Sequence, residues 1–344
     1  MRLATIPNAS SKKWNPMTWM LNQGLQKLGV EVHDLTLESL ESERFDLLHI
    51  HFFEHYTEYR NPFRVLKRVR GLLAGIDKHR AAGGKLVYTA HDVIGHDVPW
   101  RSIERWFLDR YMSKVDGVIF VSEASIKMVR DRFPQLTSNQ TIIPLSDYGD
   151  WYPDTISREG ARAKFGISDD ELVITHVGLV KRYKNVSQLV KAFTETPGKY
   201  RLLLAGRVIP DELRDEIDNL CKADPRIIWK PGHIDDAEMQ NYYRAADLAI
   251  FPYRAILNSG SAMLALTFGL PIVVPQLGSM PELQKLISPD WVHLQSDEIN
   301  SKVLRESLDW LENTNRSEKP PMEALTVDAI AQRHFEFYQK VQSG

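Results

Sequence analysis

Residues 172–194 read LVITHVGLVKRYKNVSQLVKAFT. A short apolar run ends at Gly178, a cationic loop follows, and a helical segment, Val186–Thr194, takes over. A buried strand, a glycine turn and a helix form the repeating unit of a parallel α/β fold. The same alternation continues toward the C-terminus. Tyr200–Gly206, Ile227–Pro231, Leu248–Pro252 and Pro271–Pro275 read as strands, with helices over Asp211–Ala223, Asp235–Ala246 and Ser261–Phe268. It also runs backward through the first half. Arg2–Ile6, Val30–Leu35, Leu47–His51, Lys85–Ala90, Gly117–Val121 and Thr141–Pro144 are strand-like, separated by helices over Met17–Leu28, Asn61–Ala81, Ser102–Lys114 and Ser122 to about Phe133. Ser146–Gly166, rich in Asp, Tyr, Gly and Pro, breaks the alternation and reads as a linker with a capping element. Val327–Val341 is one more amphipathic helix. The expectation is two doubly wound, Rossmann-like parallel sheets, with a cleft between two lobes lined by the carboxyl ends of the strands.

Composition sets the class. At 344 residues the chain has material for two cores, and 43% hydrophobic with 26% charged residues is the balance of a globular protein. A formal net charge of -2 argues against a dedicated nucleic-acid binder. The single cysteine, Cys221, excludes an intrachain disulfide and a thiolate zinc site. Apolar runs of about five residues are too short to span a bilayer. With no signal-peptide pattern at the N-terminus, the expected location is cytoplasmic, at or near the inner face of the cell membrane. The reason for the membrane clause is local. Arg60, Arg64, Lys67, Arg68, Arg70, Lys78 and Arg80 face only Asp77, beside a stripe of Phe63, Leu66, Val69, Leu73 and Ile76. That helix is either an ordinary solvated face or a peripheral contact with anionic lipid.

Two turns in the second half suit a diphosphate. In the first, Gly178 permits close backbone approach, and Lys181, Arg182 and Lys184 lie just ahead of a helix N-terminus. In the second, Asn258-Ser259-Gly260-Ser261 feeds the next helix, with Ser259 or Ser261 as its cap. An ordinary cationic loop and an ordinary capped helix would look the same singly; two such turns at strand ends of one lobe favour a nucleotide diphosphate. In the first half, His49 and His51 follow one strand and His91, Asp92, His96 and Asp97 another. Such groups can take a proton from a hydroxyl, although Asp after a strand also commonly caps a helix. No paired-carboxylate motif marks a metal site, so metal independence is expected.

The ordered pieces GLVKRYKN (178–185), LLLAGR (202–207), GHI (232–234), YYRAADLAIFPYR (242–254), NSGSAMLALTFGLPIVVP (258–275) and PE (281–282) resemble the donor lobe of GT-B glycosyltransferases. NPMTWMLNQGLQKLGVEV (15–32), DLLHIHFF (46–53) and YTAHDVIGHD (88–97) are similar to the acceptor lobe of the same group, the bacterial family 4-like enzymes of exopolysaccharide and lipid-linked glycan synthesis. The resemblance implies an acceptor lobe over 1–147, a donor lobe over 148–325, and a C-terminal helix over 326–344 that crosses back to the first lobe. It implies transfer of a hexose from a nucleotide-diphosphate sugar, a co-substrate rather than a cofactor, to a glycan or lipid-linked acceptor. Gly178, Lys181, Arg182, Lys184, Gly206, Asn258, Ser259, Gly260 and Ser261 would hold the donor, with Lys184 neutralising the leaving phosphate. Arg182 stands where many relatives carry proline. His233 and Ile234 would flank the base, and His91 would reach the transferred sugar, with Asp92 or Asp97 as proton acceptor.

One departure bears on stereochemistry. Retaining members carry two glutamates, five and thirteen residues before the glycine matching Gly269, and this chain has Leu264 and Ile256 there. Retention is therefore not implied, and Glu282 is the remaining acid that could stand in. The loss also keeps open a non-catalytic GT-B module that binds a sugar nucleotide or scaffolds glycan assembly. A sugar-nucleotide epimerase or glycogen-type transferase is the third reading.

Overall fold

The computed structural model describes residues 1–7, 15–91, 99–134, 136 and 139–344. The chain divides into two compact units, Met1–Ser146 with Ala324–Gly344, and Asp147–Glu323.

The first unit is built on six parallel strands: β1 Arg2–Ile6, β2 Glu31–Asp34, β3 Leu47–Ile50, β4 Lys85–Ala90, β5 Gly117–Phe120 and β6 Asn139–Ile142, in the order β2-β1-β3-β4-β5-β6. β3 is buried along its whole length, as expected where helices cover both faces of a parallel sheet. The helices start where the sequence can cap them. Asn15 Oδ1 accepts the Met17 amide at 3.0 Å and Asn61 Oδ1 the Phe63 amide at 3.0 Å, each with proline next in line, opening helices Pro16–Lys27 and Pro62–Ala81. The C-terminal helix, Val327–Ser343, belongs to this unit. It packs on Pro16–Lys27 at Gly24, where a methyl group would lie 2.6 Å from the Ala331 side chain.

Helix Pro62–Ala81 corrects the expected apolar stripe. Val65, Val69, Leu72, Leu73 and Ile76 are buried, whereas Leu66 is half-buried and Phe63 is 81% exposed. A turn of 3.6 residues puts Phe63 with Arg60, Arg64 and Lys67, on the face opposite the core. Several of the cations have local partners. Arg80 meets Asp116 at 3.0 Å, Lys78 donates to the Glu41 carbonyl, and Arg64 and Arg68 lie over the Tyr59 ring. No helix among the described residues is long and apolar enough to cross a membrane.

The second unit carries β7 Leu172–Val177, β8 Tyr200–Gly206, β9 Ile227–Pro231, β10 Leu248–Ile250, β11 Ile272–Pro275 and β12 Val292–Gln295, all parallel, in the order β12-β11-β10-β7-β8-β9. The sheet starts at β7, grows outward through β8 and β9, and resumes on the other side at β10. This is the dinucleotide-fold order, with its reversal between β7 and β10. The strand β12 and helix Ser301–Asn313 complete the lobe beyond the elements expected from sequence. The 146–166 stretch is likewise more than a linker, since Arg158–Phe165 is a helix. Arg162, 1% exposed, fixes it by pairing with Asp247 at 2.8 Å and donating to the carbonyls of Ala245, Ser168 and Glu171. A buried guanidinium needs this many acceptors to offset its desolvation.

Candidate active site

At the reversal point the second unit presents two loops from neighbouring strands, one leaving β7 and one leaving β10. The first tracks the end of β8. Gly178 N–H donates to the Ala205 carbonyl at 3.0 Å and Val180 N–H to Arg207 at 2.7 Å. Gly206 makes this possible, because with φ +146° any Cβ there would stand 1.8 Å from the Gly178 oxygen. Lys181 then starts a single 3-10 turn, Arg182–Lys184, which ends at Asn185 in the left-handed conformation. The Asn185 amide side chain donates to Glu298, which also pairs with Arg254, and the Arg254 N–H donates to the Tyr183 carbonyl at 2.8 Å. The loop is thereby tied to the segment after β10.

The second loop ends in the helix Gly260–Thr267, capped by Ser259, whose Oγ accepts the Ala262 amide at 3.1 Å. Of the two serines that could cap it, Ser259 does so. The Ser261 hydroxyl lies 3.0 Å from where a Gly178 Cβ would sit, so the two turns abut. Lys184 Nζ stands 5.2 Å from the Tyr253 ring centroid, and burial, reinforced by the charge on Lys181, brings its ammonium down to about 8. Two cations, the first turn of a helix and two hydroxyls therefore share one small region, the requirement for holding a diphosphate.

Some expected residues stand apart. Arg182 points toward Glu216, 3.8 Å away, with most of its side chain in solvent. His233 is exposed, 3.6 Å from Asp235, and Ile234 is half-buried; their turn adjoins Gly206 through a Gly232 N–H to Gly206 carbonyl bond of 3.0 Å. Asn258 is half-buried beside the 278–279 turn, where Ser279 N–H meets the Leu257 carbonyl. Glu282 lies in the first turn of helix Met280–Leu286, which follows that turn.

Tyr253 and His176 are additions to the expected set. The Tyr253 hydroxyl is buried beside those of Ser259 and Ser261 without a well-formed hydrogen bond. His176 Nδ1 lies 2.8 Å from the Ile250 carbonyl and donates to it, its Nε2 has no partner among the described residues, and burial pushes it down to about 4. Both residues sit in apolar strand-end runs, which read as core.

In the first unit, histidines gather at the ends of β3 and β4. His49 lies inside β3 rather than after it, fully enclosed. Its Nδ1 is 2.5 Å from the Tyr338 hydroxyl of the C-terminal helix and its Nε2 2.7 Å from Thr89 Oγ1. His51 lies against it, the rings tilted by 38° with centroids 3.9 Å apart, and reaches His91 Nε2 through Nδ1 at 3.3 Å. Phe52 stacks on His91 with ring centroids 4.6 Å apart. Burial, ahead of the neighbouring rings, depresses all three histidines, His91 to about 4, so they are neutral near pH 7. Asp92, His96 and Asp97 lie outside the described residues. Neither these histidines nor any other three His, Cys, Asp or Glu side chains among the described residues are placed to hold a metal ion.

Residues 171–293 match the family described as Glycosyl transferases group 1. Over its whole length the chain is similar to a GDP-mannose:glycolipid 4-beta-D-mannosyltransferase of Xanthomonas campestris pv. campestris, 23% identical over 96% of this chain and 89% of that one. Two solved structures share the fold across the full chain. Sucrose-phosphate synthase from Thermosynechococcus elongatus superposes with a TM-score of 0.67 at 16% identity, covering 100% of this chain and 99% of that one. HepE of Anabaena, solved with UDP-glucose, gives 0.64 at 14%, covering 100% and 98%.

Proposed function

We propose that the chain is a divergent group 1 glycosyltransferase of GT-B fold that transfers a hexose, mannose first among the candidates, from a nucleoside-diphosphate sugar to a glycolipid acceptor. The observation that carries the reading is the meeting of Gly178, Ser261, Lys181 and Lys184 at the reversal of strand order. The diphosphate rests on the amides of the Gly260–Thr267 helix. As the bond from anomeric carbon to phosphate oxygen breaks, Lys184 and Lys181 meet the charge that builds on the leaving group. Side-chain cations and the helix terminus do this without a metal, so turnover persists in EDTA.

Two observations support an inverting course. Leu264 is buried and apolar and Ile256 is half-buried, so neither position supplies a carboxylate to the sugar. GDP-mannose carries its sugar in α linkage, and the Xanthomonas protein is named for a β product. We infer one displacement with inversion. The acceptor oxygen attacks the anomeric carbon, its proton passes to Asp92 or Asp97, and the nucleoside diphosphate leaves. His91, held neutral, donates a hydrogen bond to the transferred sugar.

The glycolipid acceptor brings a bilayer with it, and the exposed face of helix Pro62–Ala81 is our candidate for peripheral contact with anionic lipid. The test of the function is incubation with GDP-mannose, GDP-glucose, UDP-glucose and UDP-glucuronate and a bacterial glycolipid extract. Sugar in the organic phase with release of one nucleotide supports the reading. Tight nucleotide binding without turnover would favour the non-catalytic module to which the loss of both carboxylates points.

A further inference from the structure

His51 is not needed by the donor site and is poorly explained by packing. Its ring is 4% exposed, and its Nε2 has no hydrogen-bond partner among the described residues. A buried polar atom left unpaired costs about 1–3 kcal/mol, so leucine or phenylalanine would serve the core better. What the ring does have is two oriented contacts. One face lies on His49, and Nδ1 meets His91 Nε2. His49 is itself fixed from two distant parts of the chain, by Thr89 on β4 and by Tyr338, 289 residues away. Tyr338 is fully buried.

We propose that His51 is a positioning residue for His91, and that Tyr338 anchors the stack that holds it. This rests on the reading of His91 as the residue that meets the transferred sugar. His51 Nδ1–H donates to His91 Nε2, which fixes His91 as the tautomer carrying its proton on Nδ1. The unprotonated Nε2 of His51 stays in the apolar interior, where an unpaired lone pair is tolerated better than an unpaired N–H. Phe52 stacks on His91, so the ring is set in position as well as in tautomer. The C-terminal helix thereby takes part in sugar recognition through a chain of three side chains.

The test is a double-mutant cycle on kcat and KM, using whichever of the four nucleotide sugars above the wild-type protein turns over. His51→Leu should lower kcat/KM about tenfold, and His51→Asn, whose amide can donate from the place of Nδ1, should restore most of it. Tyr338→Phe should lie between. His91→Ala should lower kcat/KM by at least as much as His51→Leu, and His51→Leu/His91→Ala should be no worse than His91→Ala alone, because His51 acts only through His91. Multiplying losses in the double variant, or no rescue by asparagine in a variant that melts like wild type, would overturn the positioning role while leaving His91 in the site. A silent His91→Ala would remove His91 from sugar recognition, and the inference with it.

Discussion

In the proposed mechanism Lys184 is the residue whose protonation should set turnover. Burial and Lys181 bring its ammonium down to about 8, so it is charged at pH 7 and loses that charge in mildly alkaline solution. kcat/KM should fall as pH rises through about 8, and this ionisation should vanish from the profile of Lys184→Gln. Lys184→Ala should lower kcat by about 100-fold with little change in melting temperature, because the cation acts on charge that grows only as the leaving group departs. Near-normal turnover in a folded variant would remove it from the mechanism. The buried histidines give a stability signature of their own. His91, His334 and His176 are pushed from 6.5 to about 4 in the folded protein. Between those values the unfolded chain binds more protons than the folded one, so stability is complete above about 6.5 and declines toward 4. Each histidine contributes a slope of up to about 1.4 kcal/mol per pH unit within that window. Melting temperature should fall steeply from pH 7 to pH 5; a flat profile would mean that these rings do not stay neutral in the folded state.

Helix Pro62–Ala81 shows what periodicity can and cannot reveal. Its length and basic character were legible from the 3.6-residue pattern, and so was most of the buried side, Val69, Leu73 and Ile76. Phe63 was not, because its spacing of three from Leu66 reads as core, whereas the helical turn carries it onto the cationic face. Trp100 is also exposed nearby, its indole N–H donating to the Arg60 carbonyl at 3.0 Å. Aromatic rings at a cationic helix end fit the headgroup region of a bilayer. Phe63→Ser with Arg64→Glu and Lys67→Glu should abolish sedimentation with phosphatidylglycerol liposomes at low salt, each charge near the surface being worth about 1 kcal/mol. Wild-type protein that stays in the supernatant would contradict this. The strand-and-turn pattern revealed β7, β10 and the two anion-suited turns for the same physical reason, that buried parallel strands read as continuous apolar runs ending in glycine or proline. It missed β12 and helix Ser301–Asn313, whose polar residues dilute the pattern. It also missed the buried polar groups of His176 and Tyr253, which are embedded in strand-end apolar runs.

At the scale of the whole molecule the chain allots opposite charge to its halves, about +2 over residues 1–150 and about -4 over 151–344. Its last helix folds with the first half. Val327–Ser343 buries Ile330, Ala331, Phe337, Tyr338 and Val341. At about 1.5–3 kcal/mol for each large apolar side chain, that burial rivals the net stability of a domain. Truncation after Glu323 should therefore unfold the first unit while leaving the second able to bind nucleotide, which limited proteolysis with and without GDP would read out. An intact first unit in the truncated chain would contradict this. If the second unit delivers a sugar from a nucleoside diphosphate to a lipid-borne acceptor, transfer from GDP-[14C]mannose to a bacterial glycolipid extract, followed by assignment of the anomeric configuration, reads it out most directly. Label should appear in the organic phase with stoichiometric GDP and a β linkage, and all three should be lost in Lys184→Ala; an α-linked product would contradict inversion, and no transfer from any of the four donors would contradict the function itself.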